Sequence, residues 1–327
     1  MRKKAPVWTL FFLAPVIGEL ISGSAPPVEF FRPFSLLLLA ALYGSGALLV
    51  REISLSWEKR WPTIFVLGLA YGIVEEGLMV KSFFDPNWMD LGLLGVYGRV
   101  WGVNWVWSMF LTLYHAVFSI AIPIYLTELI YPAVRDECWL TRRGVRSFAV
   151  LLTADVLFGF LLLTTYRPPF LPYTLSIITV LFLGWLGKRM PLRWWQGDGG
   201  KVRGTFWFFL VGALGSFGLF LTNYLLPTFD VPVILTLAVC AAIPFVLLVA
   251  VRWLSGRGTW VEKQRLALVT GGMSFLIFGA LVAETSTDRM DNPAGMAVVG
   301  MLTIVAFVIL RVIVGRRERH ASAMASA

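Results

Sequence analysis

Ten apolar runs leave this chain few ways to fold. They cover residues 7–23, 34–50, 62–80, 104–130, 147–166, 170–187, 204–226, 231–251, 266–283 and 294–314. A helix crossing about 30 Å of hydrocarbon needs roughly 20 mostly apolar residues, so each run is long enough to span a bilayer. Several begin at or just after a proline (Pro33, Pro62, Pro169, Pro232, Pro293), where the missing N–H costs nothing because that donor is unpaired at a helix start. The predicted fold class is all-α, a polytopic transmembrane helix bundle of about ten spans. Residues 1–320 are expected to form a single integral membrane domain, with 321–327 a disordered, small-residue tail.

Charge placement tests the count independently. The chain carries 28 Lys and Arg against 19 Asp and Glu, a net charge of +9. A nucleic-acid partner would need those cations clustered on one polar surface, whereas here they lie between apolar runs. With the N-terminus inside, 23 of the 28 fall in segments on the cytoplasmic side, and only Arg32, Lys81, Arg99, Arg167 and Arg289 fall outside. Lys and Arg collect on the cytoplasmic side of a threaded chain, so the expected arrangement is a multi-pass protein of the cell membrane with both termini cytoplasmic. Its surroundings are the lipid bilayer, and no nucleic acid is expected. The first run, with Arg2, Lys3 and Lys4 before it and Ser22-Gly23-Ser24 after it, also fits a cleavable signal peptide; Glu19 within it favours a retained helix. The two cysteines, Cys138 and Cys240, offer no disulfide framework.

Ionisable residues within the apolar runs are the candidates for function, because a charge at the centre of a span costs at least a few kcal/mol unless it is paired or solvated. Glu19, Glu75, Glu76, His115 and Asp155 stand out, while Glu128 and Glu284, at span ends, read as ordinary interfacial charges. At 1.5 Å per residue Glu75 and Glu76 lie roughly 7–10 Å below the outer end of the third span, and His115 about 16 Å into the fourth. Successive helical residues point about 100° apart, so one glutamate is expected to face a polar cavity while the other bonds a neighbouring helix or Lys81. Adjacent carboxylates raise each other's pKa, which suits general acid–base work and proton-coupled transport alike. The outer segment Lys81 to Val103, rich in aromatic residues, reads either as an interfacial stretch or as a lid over a site.

The segment Glu75-Glu76-Gly77-Leu78-Met79-Val80-Lys81 resembles the Glu-Glu-x-x-x-Arg motif of the CAAX-protease and bacteriocin-processing family of intramembrane metalloproteases. Phe110 to His115 is similar to its Phe-x-x-x-His motif, and Leu151 to Asp155 occupies the place of its His-x-x-x-Asn/Asp motif. The resemblance implies Glu75 as the base that activates a water, Glu76 as its support and His115 as a metal ligand. Departures are plain: Lys81 stands one position late, the Phe-to-His spacing is one too long, and Leu151 replaces a histidine. Since the only other histidine is His320 in the tail, zinc or another divalent metal would rely on His115 with Glu75, Asp155 or Glu19.

Three functions stay open at this point: an intramembrane hydrolase or its non-catalytic relative, a secondary transporter using the same acids for proton or cation coupling, and a scaffold binding through the aromatic outer loop around Trp88 and Asp90. No phosphate-binding loop is present, since Gly197 to Gly200 lies in a short charged stretch without the strand and helix such a cradle needs.

Overall fold

The computed structural model describes residues 3–89, 91–191, 201–256, 260–286, 289 and 291–326, with side chains to residue 320. Asp90 and the Gly197 to Gly200 stretch lie outside the described residues. Ten helices long and apolar enough to cross a membrane occupy Lys4–Ile21, Pro33–Ser56, Trp61–Met79, Trp105–Ile130, Arg142–Leu163, Phe170–Arg189, Thr205–Thr228, Val233–Leu254, Glu262–Thr285 and Met296–His320. They correspond one to one with the predicted runs. Pro33 and Pro62 sit in the first turns of their helices as expected.

The ends move where charge is accommodated by the protein. The second helix runs on to Ser56 because Arg51 and Glu52, polar enough to end an apolar run, are buried and paired. The fifth starts at Arg142, capped by Thr141, whose side chain accepts the Gly144 N–H at 3.2 Å. The last helix continues to Ser326, through residues 321–326 where the sequence predicts a disordered tail. The strand content described is one antiparallel pair, Arg99–Val100 with Val103–Asn104, in the loop before the fourth span.

The chain divides into two compact units. The first holds Met1–Gly18, Arg32–Trp194 and Thr222–Ala241; the second holds Glu19–Phe31, Trp195–Leu221 and Ala242–Ala327. In the first unit an apolar cluster including Leu10, Ala14, Tyr43, Leu48, Ile64 and Ile124 ties spans one to four together, with Leu152 and Val156 of the fifth packed against it. In the second unit Phe217 and Phe220 of the seventh span meet Phe275 of the ninth, the Phe220 pair stacked with centroids 4.1 Å apart.

Five helices contain π-helical segments: Val16–Ile21, Ala40–Gly44, Ile73–Met79, His115–Ala121 and Gly159–Leu163. They fall one in each of the first five spans. A π turn inserts into an α-helix at a cost and concentrates at functional sites, and here two of the five carry Glu75, Glu76 and His115.

Candidate functional site

The third and fourth spans approach closely because Gly68 and Gly72, four residues apart, have no side chain to hold them off. A Cβ on Gly68 would fall 2.8 Å from the Cα of Ala116, and one on Gly72 would fall 3.1 Å from the Cβ of His115. This is the small-xxx-small packing used between membrane helices, and it sets the ring of His115 beside the carboxylates of the third span.

Both glutamates face that ring. Glu76 Oε1 lies 3.1 Å from His115 Nε2, and Glu75 Oε2 lies 3.2 Å from Nδ1. Of the two partners expected for the second glutamate, a neighbouring helix is met, and Lys81 instead bonds the Phe160 and Thr164 carbonyls. An imidazole presents its two nitrogens on opposite edges, so carboxylates pointing in different directions can bracket it. Ser119 Oγ meets Nδ1 at 2.9 Å. Tyr43 donates its hydroxyl hydrogen to Glu75 Oε1, and the Tyr71 ring packs edge-on against that of His115, centroids 6.2 Å apart. On the other side Ser82 donates to Glu76 Oε2, and Trp107 Nε1 donates to Ser82 Oγ at 3.1 Å. Glu75 is 5% exposed and His115 2%.

Lys81 has a different task from the one its place in the motif implies. Its ammonium donates to the carbonyls of Phe160 at 2.7 Å and Thr164 at 3.3 Å, and it lies 4.5 Å from the centre of the Phe160 ring. Those carbonyls belong to the end of the fifth helix, where the last C=O groups lack intrahelical partners and favour a cation. Burial, with the Arg167 guanidinium nearby, pushes the Lys81 ammonium below the usual lysine range. Lys81 also adopts a left-handed φ of 64°, which turns the chain sharply after the third span and directs Ser82 at Glu76.

The segment that follows the third span is packed onto the helices in part. Ser82, Phe83, Phe84, Leu91 and Leu94 are buried. Arg99 donates to the Phe84 and Asp85 carbonyls at 2.7 and 3.2 Å, and Asn104 accepts the Trp107 N–H as cap of the fourth helix. Its tips stay apolar and open: Val96 is 86% exposed and Trp101 85%.

Of the residues singled out in the sequence, Glu75, Glu76 and His115 converge, each offering one ligand atom within 4.8 Å of the others. Asp155 is not one of them. It is the only buried residue of its α-helix Arg142–Phe158, and its Oδ2 has no hydrogen-bond partner among the described residues. Glu19 belongs to the second unit. A catalytic zinc takes three protein ligands and leaves a position for water. Here three ligands would consume Glu75, Glu76 and His115 together and leave no carboxylate as base, so the donor set does not fit a metal centre with a glutamate base.

Glu128 also departs from expectation. It is buried, its Oε1 3.0 Å from Arg51 Nε and its Oε2 3.3 Å from Arg60 Nη2. Arg51, fully buried, further bonds Glu52 at 2.9 Å and the Arg135 carbonyl at 2.7 Å, and stacks 3.2 Å from the ring centre of Trp139. Glu52 accepts the backbone N–H groups of Trp139 and Leu140 at 2.9 and 3.1 Å. Arg51, counted in the sequence among the loop cations, is thus a structural charge. Reading the sequence also passed over Tyr43, Tyr71, Ser82, Trp107 and Ser119. The Gly68-x-x-x-Gly72 spacing was the available signal that spans three and four meet face to face.

No curated protein and no solved structure matches the chain, and the likeness to the CAAX-protease family rests on the motif residues alone. A model described as an uncharacterized membrane protein family matches residues 9–326. The chain therefore belongs to that family, and with its ten apolar helices it is a multi-pass membrane protein.

Proposed function

We propose that Glu75, Glu76 and His115 form the acid–base centre of an intramembrane hydrolase that cuts a peptide bond within the bilayer, with Glu75 as the base. One observation carries this reading: the glutamate pair and a histidine 39 residues beyond Glu76, which the motif resemblance singles out together, meet on adjacent helices with ligand atoms within 4.8 Å. In the proposed reaction a water beside Glu75 gives up a proton to the carboxylate as its oxygen attacks the substrate carbonyl. That proton then passes to the leaving amine. Tyr43 holds the carboxylate in place, and the apolar surroundings strengthen each electrostatic contact. No step passes through a metal.

A second reading, a proton-coupled transporter, is favoured by the way three titratable groups lie within ion-pair distance of one another in one buried cluster, as in proton relays of membrane proteins. The protein reconstituted in vesicles decides between them. A library of membrane-inserting peptides is digested and new termini are read by mass spectrometry. The hydrolase reading expects cleavage products that disappear with Glu75→Gln and are unaffected by chelators. Absence of Glu75-dependent products, together with Glu75-dependent collapse of an imposed pH gradient, would establish transport instead.

A further inference from the structure

The hairpin before the fourth span turns on an unusual residue. Arg99 pairs with Asn104 and Val100 with Val103, which leaves Trp101 and Gly102 as a two-residue loop. Both have positive φ, 54° and 76°, the mark of a type I′ turn, where Asn, Asp or Gly is favoured at the first position. A bulky side chain is strained there because its Cβ crowds the backbone. Trp101 is also almost fully exposed, so its ring touches little of the chain that could offset the strain. The hairpin beneath it is well fixed. Arg99 donates to the Gly95, Phe84 and Asp85 carbonyls, the Trp105 backbone N–H bonds the Gly98 carbonyl at 3.0 Å, and the Trp105 indole N–H bonds the Val100 carbonyl at 3.2 Å. A firm base therefore holds out one large aromatic ring.

The height of that ring follows from the sixth span. Phe170–Arg189 has 20 residues, about 30 Å at 1.5 Å per residue, which equals the thickness of the hydrocarbon core. Pro169, just before it, therefore lies at the edge of the core. A Cβ on Gly102 would fall 3.0 Å from Pro169 Cγ, so the turn stands at that same level and not out in water. The surface around it is apolar and runs on into the lipid-facing flanks of the spans: Phe170 and Leu171 of the sixth and Trp105 of the fourth are all exposed. The headgroup region at each face of a bilayer is roughly 5–8 Å deep, and indole rings, apolar with one polar N–H, are drawn to it. We propose that the hairpin Arg99–Asn104 is a membrane-surface anchor whose Trp101 ring sits in the lipid headgroup zone. That contact offsets the strain of the turn, and through Asn104, the cap of the fourth span, it ties the start of that helix to the surface. The anchor does not depend on the chemistry at Glu75.

The test reads the depth of the ring in the full chain. Protein labelled with 5-fluorotryptophan is reconstituted in phosphatidylcholine nanodiscs, and the Trp101 fluorine resonance is identified by its absence from Trp101→Phe. A nitroxide carried on the lipid headgroup is expected to broaden that resonance more than either a nitroxide at the end of the acyl chain or a gadolinium chelate dissolved in the water. Strongest broadening by the dissolved chelate puts the ring in water, strongest broadening by the chain-end label puts it in the core, and no broadening by any of the three means that protein covers it; each of these overturns the anchor. If Trp101→Phe does not fold, Val100→Cys in a Cys138→Ser background takes a nitroxide at the hairpin with the Trp101 ring intact, since Cys240 is buried. Its relaxation should respond more to oxygen, which concentrates in lipid, than to a water-soluble nickel chelate, and the reverse order overturns the proposal.

Discussion

Spans one to five and spans six to ten are alike in length, and all are apolar enough for the bilayer, yet they are built on different principles. The first five hold Arg51, Glu52, Glu75, His115, Glu128 and Asp155 as buried ionisable groups. Among the described residues of the last five, the buried polar side chains are uncharged: Ser216, Thr222, Asn223, Thr236 and Thr303. Each of the first five carries a π segment, and no π segment is described in the others. Where spans seven and nine meet, Gly212 and Gly271 put backbone against backbone, a Cβ on either falling on a carbonyl of the facing helix. That is association by small residues, which needs no polar contact. Hydrophobic content therefore does not tell a chemically equipped span from one that only packs. The distinction lies in whether the buried polar groups are charged and how the helix is wound beneath them.

The sharpest way to break this comparison is to treat two span-end glutamates alike. Glu128→Ala leaves Arg51 buried without its main anionic partner, a loss of about 3–5 kcal/mol for a buried pair, read as a large drop in melting temperature in detergent. Glu284, exposed, accepts the N–H groups of Gly295 and Ala297 at 2.9 and 3.0 Å beside the start of the last helix, and Glu284→Ala should cost only about 1 kcal/mol, as for a lost cap. Equal shifts would erase the difference between the two regions.

A smaller contrast comes from glycine. Gly68→Val, pushed against Ala116, is expected to cost about 1–3 kcal/mol by overpacking and to abolish any Glu75-dependent activity by parting the third and fourth spans. Gly279 of the ninth span has nothing within 4 Å of its would-be Cβ. There Gly→Ala should stabilise by up to about 1 kcal/mol through helix propensity. Both are checked by thermal unfolding in detergent.

The smallest effect is kinetic. Cys138 is exposed in the loop after the fourth span, and burial of its thiol together with the nearby Glu52 carboxylate pushes its pKa above the ordinary thiol value. The thiolate is the nucleophile, so alkylation should be slower at a given pH than that of an ordinary exposed thiol. Glu52→Gln should move that rate profile to lower pH. Cys240, buried in the eighth span, should stay unlabelled until the protein unfolds. In intact cells an impermeant maleimide should spare Cys138 if, as the charge distribution predicts, its loop is cytoplasmic.

Much of this was legible in the residues. Span positions follow from the length of apolar runs, which depends on the solvent alone, and the glutamate pair and His115 were conspicuous because charge in such runs is rare. Partner choice was hidden because it depends on approach between helices. Glu128 looked interfacial from its position in the fourth span, but its fate is decided by Arg51 and Arg60, 77 and 68 residues away. Lys81 looked like a partner for one of the two glutamates because they are close in sequence, while the carbonyls at the end of the fifth helix compete for it more effectively. The π segments likewise follow no local residue signal, and they supply the turn that lets Glu75 and Glu76 share one ring.

The knot around Glu128 also limits how the helices can move. Arg51, Arg60 and Glu128 bolt together the end of the second span, the start of the third and the end of the fourth, and Glu52 fastens the loop leading to the fifth. Helices joined at one end can separate only at the other, like the legs of a compass. The ends of the third and fourth spans that carry Lys81, Ser82 and Trp107 are the ends farther from this knot.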